Sequence, residues 1–288
     1  MSFNSIAAML EASEKTGMPL YTVICEDDCR ENGYSPESSH RQISALWEAM
    51  LQSSQQYRAS DRSNSGLIGG DADKLRTAAK EGRLVGGTYF LRVTEEALRV
   101  AECNACMKRI VAAPTAGSCG VLPAVLIPLT EETGVSTELV LQALYIAAGF
   151  GQVTAARANV SGAEGGCQAE IGTASAMAAA ALTHIMGGTA QQCAHAFAIA
   201  LGNLLGLVCD PVGGLVEIPC VKRNVVGAVN AVSAANMALA GITSHVPADE
   251  VIDAMGEIGD ALPASLRETG LGGLAATPTA KRITKNIR

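Results

Sequence analysis

Aromatic residues are scarce in this chain: one Trp, four Phe and five Tyr make up 3% of 288 residues. A β-sandwich core is built from aromatic and β-branched side chains, so their shortage argues against one. Charge is sparse too, at 17%, and no cluster of Lys or Arg exceeds a dipeptide. With 28 acidic against 21 basic side chains the net charge is −7, which gives no basic footprint for a nucleic acid. The amino terminus has no basic segment ahead of its apolar stretch, and Glu11 and Glu14 interrupt that stretch. It does not read as a secretory signal, and a cytoplasmic protein is expected. Alternating strand patterns and internal repeats are also missing.

The chain is instead rich in the two smallest residues, 48 Ala and 30 Gly. Small residues let helix axes approach closely, so the expected fold is all-α, a compact multi-helix body with Ala/Gly-rich buried helices and Gly-rich loops. Residues 171–209 carry no formal charge, long enough to suggest a membrane span. His184, Gln191, Gln192, His195 and Asn203 interrupt that run, and Gly187-Gly188 divides it, so two buried helices are expected and no membrane.

Apolar spacing places helices near 4–16, 20–32, 36–60, 71–81, 88–109, 137–158, 168–186, 190–207, 220–241 and 248–261. Ser35 with Pro36, Ser136, and Thr189 with Gln192 supply start signals. The uncharged, proline-bearing stretch after Ile110 reads as a buried loop and a short helix, and the basic tail after Thr277 as mobile. Residues 1–63 are expected to form an N-terminal helical segment and 64–288 the main helical domain, on one continuous core.

Four segments concentrate Gly, Cys and polar residues: 113–120, 159–170, 209–220 and 221–224. Gly-rich turns that open helices can present N–H groups to an anion such as a carboxylate. The nine cysteines, odd in number and without a signal segment, are expected to be reduced. Cys25 with Cys29, and Cys103 with Cys106, fall on helix faces and read as core. Cys167, Cys209 and Cys220 lie at loop edges instead. Three thiolates from separate loops could hold an iron–sulfur cluster, normally a four-cysteine group, leaving one iron open as a Lewis acid. Spacing alone leaves core packing open for these three as well.

The stretches APTAGSCGVLPAVL, SGAEGGCQAEIGTASAMAAAAL, CDPVGGLVEIPCVKRN and RETGLGGLA, together with SGLIGGDA, resemble the iron–sulfur-dependent L-serine dehydratases over roughly residues 60–275. In length and order the chain is similar to the alpha chain of the two-subunit form. The resemblance implies a 4Fe-4S cluster on Cys167, Cys209 and Cys220, and elimination from L-serine to pyruvate and ammonia without pyridoxal phosphate. It implies a substrate loop at Thr115, Ala116, Gly117, Ser118 and Cys119, with Asn159, Ser161, Glu164, Lys222, Arg223 and Asn224 also in matched motifs. A beta subunit is implied as partner, covering the cluster and supplying the proton-abstracting group, with an exposed apolar patch near 110–125 and 209–224 to receive it. Two departures stand out. No Cys follows Cys220, so a C-terminal thiol cannot block the open iron, and none of the four histidines falls in a matched motif. His184 and His195 read as satisfied core imidazoles, His40 and His245 as surface residues. Alternatives are the same cluster acting on another small substrate such as L-cysteine or a hydroxy acid, or a non-catalytic helical subunit. A pyridoxal-phosphate enzyme is disfavoured, because of seven lysines only Lys222 lies near a candidate segment, with no strand pattern around it.

Overall fold

The computed structural model describes residues 2–287. Among them are thirteen α-helices and no named strand: α1 Ile6–Thr16, α2 Leu20–Asn32, α3 Pro36–Gln55, α4 Asp71–Lys80, α5 Thr88–Ala105, α6 Val121–Thr133, α7 Thr137–Arg157, α8 Gly162–Gly165, α9 Thr173–Ile185, α10 Ala190–Gly202, α11 Cys220–Leu239, α12 Ala248–Ala261 and α13 Pro278–Asn286. The start signals act as read. Ser35 Oγ accepts from the Ser38 N–H, Ser136 Oγ from the Leu139 N–H, and Thr189 with Gln192 forms a reciprocal capping box. Such caps contribute on the order of 1 kcal/mol each.

Helix α9 is the hub. Six of its thirteen residues are Ala, and it packs directly on α6, α7, α10 and α11. Without side-chain bulk the helices meet nearly backbone to backbone. At Gly227 of α11 an added Cβ would lie 3.0 Å from Ile171 and 3.1 Å from Val121, so only Gly fits there without a shift. Buried polar groups then fix the register: Ser175 Oγ donates to Gly227 O at 2.7 Å, and Asn230 donates to Ser175 Oγ and to Ala200 O. The main apolar core runs from Ile6 to Met255, drawing on α1 to α3 as well as on the later helices. Only α7 is long and apolar enough to cross a membrane among the described residues, and two-thirds of its apolar window is buried inside the fold.

Four expectations are corrected. Segment 221–224 is not a loop but the first turn of α11, so the helix sets the directions of Lys222, Arg223 and Asn224. The tail is ordered: Thr277 caps α13, and Ile287 packs where a Cβ on Gly213 would lie at 2.8 Å. Helices α3 and α10 stop at Gln55 and Gly202, short of residues 60 and 207. His184 is not satisfied: it is half-buried in α9, its Nε2 has no hydrogen-bond partner, and burial holds its pKa below the usual value.

The Gly-rich turn at 64–71 opens α4, as an anion site would. The anion is the chain's own Glu102, whose carboxylate accepts from the N–H groups of Gly70, Asp71 and Ala72 at 2.9, 2.8 and 3.3 Å. This turn is therefore a structural joint. Ile68 and Ala72 pack with Leu98, Ala101 and Val221, bracing α4 and α5 against the start of α11.

Candidate functional site

The three loop-edge cysteines leave three different elements. Cys167 precedes a π turn at Gln168–Gly172 that runs into α9, and the extra residue of such a turn redirects the side chains before it. Gln168 holds the turn in place. Its amide donates to Gly165 O and Met255 O at 3.0 Å each and accepts from Gly206 N–H at 2.8 Å. Cys209 sits in extended backbone after α10, its N–H donating to Leu266 O at 2.9 Å and its carbonyl accepting from Glu268 N–H at 2.7 Å. Cys220 is the first residue of α11.

These thiols lie in one electrostatic neighbourhood. Cys167 and Cys209 are buried at 3% and 4% exposure. Burial pushes the Cys167 thiol to about 12 and Cys220 to about 11, and raises Cys209 further, with the charges of Cys167, Glu170 and Glu268 adding to the rise there. The Arg223 guanidinium opposes this at Cys167 and Cys220. It is itself fixed by donating to Val208 O at 2.7 Å and to the Asp210 carboxylate at 2.8 Å. Asp210 in turn accepts from Leu274 N–H at 2.7 Å, tying the loop of Cys209 to the segment before α13.

Glu170 completes the group. A Cβ built on Gly162 would lie 2.5 Å from its carboxylate and 3.1 Å from Cys209 Sγ; on Gly117 it would lie 3.3 Å from the same carboxylate. The two glycines thus leave a cradle in which carboxylate and thiol meet the 115–118 turn. Burial raises the Glu170 pKa, the Glu268 charge raises it further, and the Thr115 hydroxyl and Gly162 N–H work against both. Among the described residues no three His, Cys, Asp or Glu side chains converge on a point suited to a single ion. A four-iron cluster spreads its thiolates more widely than one ion does, and three cation-flanked thiols, Cys167 and Cys209 buried and Cys220 half-buried, supply the thiolate chemistry for three of its four irons.

The remaining candidates divide. Thr115 caps a 3-10 turn, Ala116–Ser118, that leads through Cys119 and Gly120 into α6. Ser118 is fully buried, and its hydroxyl faces Thr115 and Ala113 O within its own turn. Asn224 staples this turn to α11, accepting from Gly120 N–H and donating to Gly117 O and Cys220 O. Cys119 is buried toward α5, with Sγ 4.0 Å from Val100 O, beside Cys103 rather than among the other thiols. Asn159 and Ser161 cap α8, with Asn159 bonded to Glu164 and to Ser161 N–H. Lys222 is exposed and reaches only Asp71, at 4.0 Å. Glu170, Glu268 and Asp210 were not singled out from sequence, although all three lie in the quoted motifs. Acidic residues near cysteines carry no spacing signal, and only the fold brings Glu268 back to Cys209. A cleft of about 640 Å³ between α2, α3 and α7 is lined by Cys25, Cys29, His40 and Tyr145 and touches none of the site residues. The expected apolar exposure is met only in part: residues 110–125 expose no large apolar side chain, whereas Val216, within 209–224, is exposed, as are Val226, Leu271 and Leu274 beyond it.

The family described as serine dehydratase alpha chain matches residues 15–275. The chain is 45% identical to a probable L-serine dehydratase, alpha chain, of Bacillus subtilis, across 99% of this chain and 95% of that one. It is 40% identical to the L-serine dehydratase, alpha chain, of Peptoniphilus asaccharolyticus, across 99% and 98%. An L-serine dehydratase of Haemophilus influenzae is 37% identical across 93% of this chain but only 60% of its own, longer length.

Proposed function

This chain belongs to the serine dehydratase alpha chain family, and from that premise we propose how its site works. The protein is an L-serine dehydratase alpha chain, a carbon–nitrogen lyase. L-serine loses a proton from Cα and hydroxide from Cβ, and the resulting aminoacrylate tautomerises and hydrolyses to pyruvate and ammonia. Cys167, Cys209 and Cys220 hold a 4Fe-4S cluster. The observation that carries this assignment is that Cys167, Cys209 and Cys220, two buried and one half-buried, share one electrostatic neighbourhood, with Cys209 Sγ at the Gly162 cradle and Arg223 flanking Cys167 and Cys220. When bound, such a cluster supplies an electrophilic iron without a protein thiol, which eases departure of the substrate's hydroxyl.

The chain's own residues do the rest. Arg223 favours the thiolate form of Cys167, and Asp210 fixes Arg223. The turn from Thr115 to Cys119 receives the substrate carboxylate on its backbone N–H groups, with Ser118 and Asn224 holding the turn in shape. Asn159, Ser161 and Glu164 order the α8 wall, and Lys222 stands at the rim. No histidine of this chain lies among these residues. We assign the proton-abstracting group to a beta subunit that covers the site and excludes water, which strengthens the electrostatics within. The longer Haemophilus influenzae relative is consistent with a second unit of that kind. Pyridoxal phosphate plays no part in this reading, and the setting is the cell interior.

Anaerobic co-expression of both subunits tests the whole reading. Four irons and four sulfides per alpha chain, a paramagnetic signal that changes on adding L-serine, and pyruvate formation are expected. Pyruvate formation from a complex free of iron would overturn the cluster.

A further inference from the structure

The two carboxylates of the site differ. Glu170 is largely enclosed, beside the Thr115 hydroxyl and the glycine cradle, and it helps hold two loops together. Glu268 is exposed, and its carboxylate has neither a hydrogen-bond donor nor a cation as partner among the described residues. Its backbone is nonetheless tightly placed. Its N–H donates to Cys209 O at 2.7 Å, and Cys209 pairs with Arg267 in a parallel bridge. Glu268 is also one of two non-glycine residues with positive φ among the described residues, at 61°. A non-glycine residue in that region is strained, so the surrounding structure over-determines its position. Its charge is close enough to raise Glu170, Cys209 and Cys220 alike.

No free cation answers it. Arg223 is committed to Val208 O and Asp210, Arg267 donates to Leu262 O and to Asp260 O, and Lys222 turns toward Asp71. The Glu268 carboxylate is thus left open to a positive charge carried by a bound substrate. Resting on the proposed function, we infer that Glu268, seated at the mouth beside Cys209, is the specificity-determining residue that receives the α-ammonium group of L-serine. Glu170 acts beneath it as a positioning residue. The carboxylate turn at 115–118 and the ammonium partner at 268 then grip the amino acid from two loops, with its hydroxyl directed at the thiol set. A hydroxy acid of the same length but without an amine would leave Glu268 unpaired beside its own carboxylate and be rejected.

The test uses the complete two-subunit enzyme, purified anaerobically, with L-serine as substrate and 3-hydroxypropanoate as competitor. That competitor keeps the hydroxyl and the carboxylate and lacks the ammonium. For Glu268→Gln the KM for L-serine should rise about tenfold or more, as expected for loss of a charge-assisted hydrogen bond. Inhibition by 3-hydroxypropanoate should be unchanged or stronger. Glu268→Asp, which keeps the charge, should fall between. Iron content and cluster absorbance should match the parent in both variants. Equal shifts for the two molecules, no shift for either, or loss of iron in Glu268→Gln would overturn the assignment. A parent enzyme that carries the cluster yet does not convert L-serine would instead overturn the functional reading on which it rests.

Discussion

Asn224 offers the sharpest test of whether a motif residue touches substrate or builds the site. Its side chain is 1% exposed and makes three hydrogen bonds, from Gly120 N–H at 2.8 Å, to Gly117 O at 2.8 Å and to Cys220 O at 3.0 Å. Asn224→Ala strands the buried Gly120 N–H, at a cost of about 1–3 kcal/mol, and adds a small cavity. The total should be about 2–4 kcal/mol. At roughly 2–4 °C per kcal/mol for a chain of this size, Tm falls by about 4–16 °C. Asn224→Asp keeps the acceptor for Gly120 but sets a charge against two carbonyls, so it should recover little. Thermal unfolding followed by circular dichroism on the isolated alpha chain measures the shift without any need for cluster or partner. A Tm within about 1 °C of the parent, with a raised KM in the complex, would refute the staple and make Asn224 a substrate contact.

Cys209→Ser should lower iron and sulfide content sharply under anaerobic preparation, whereas Cys193→Ser, fully buried in α10 away from the site, should leave both unchanged. Elemental analysis of the two variants decides this, and full cluster content in Cys209→Ser would remove it from the ligand set. Glu96 is fully buried, neither oxygen has a hydrogen-bond partner, and burial raises its pKa above the ordinary 4.5 despite the Arg99 guanidinium 3.7 Å away. A folded carboxyl raised in this way holds its proton where the unfolded chain has released it, so it lowers stability as pH climbs through that window. Glu96→Gln should therefore melt higher than the parent at pH 8, with the gap narrowing toward pH 5; a pH-independent gap would contradict the burial argument. Removing residues 278–288 should loosen the loop bearing Cys209, because Ile287 packs on Gly213, and proteolysis within 210–217 should quicken. Equal cleavage rates would show that α13 does not brace that loop.

The all-helical architecture was legible because its signals are local. Ser35, Ser136 and Thr189 cap the helices that their sequences announce, and Gly187-Gly188 divides the uncharged run where expected. Legibility failed where distant partners decide. Residues 221–224 read as a loop because Gly and Pro precede them, yet Cys220 begins a helix whose N–H groups need no side-chain cap. The basic tail lacks an apolar face long enough to announce a helix, and the loop at 212–214 supplies the surface that orders it. The pairing of Glu268 with the Cys209 strand spans 59 residues, and the Glu102 cap on α4 spans about 30; neither leaves a mark on local periodicity.

The alanine content of α9 also governs what mutagenesis can see. An alanine scan works by cutting side chains back to a methyl group, and six of the thirteen positions in this helix already carry nothing more. Such a scan would pass over nearly half of the hub that spaces the elements bearing Cys167, Cys209 and Cys220, and would score those positions as silent. At them, only substitutions that enlarge the residue would register. Ala178→Leu, at a site with no exposed surface and helices on several sides, would force neighbouring backbones apart. In this helix the close-packed alanine face is invisible to subtraction and responds only to addition.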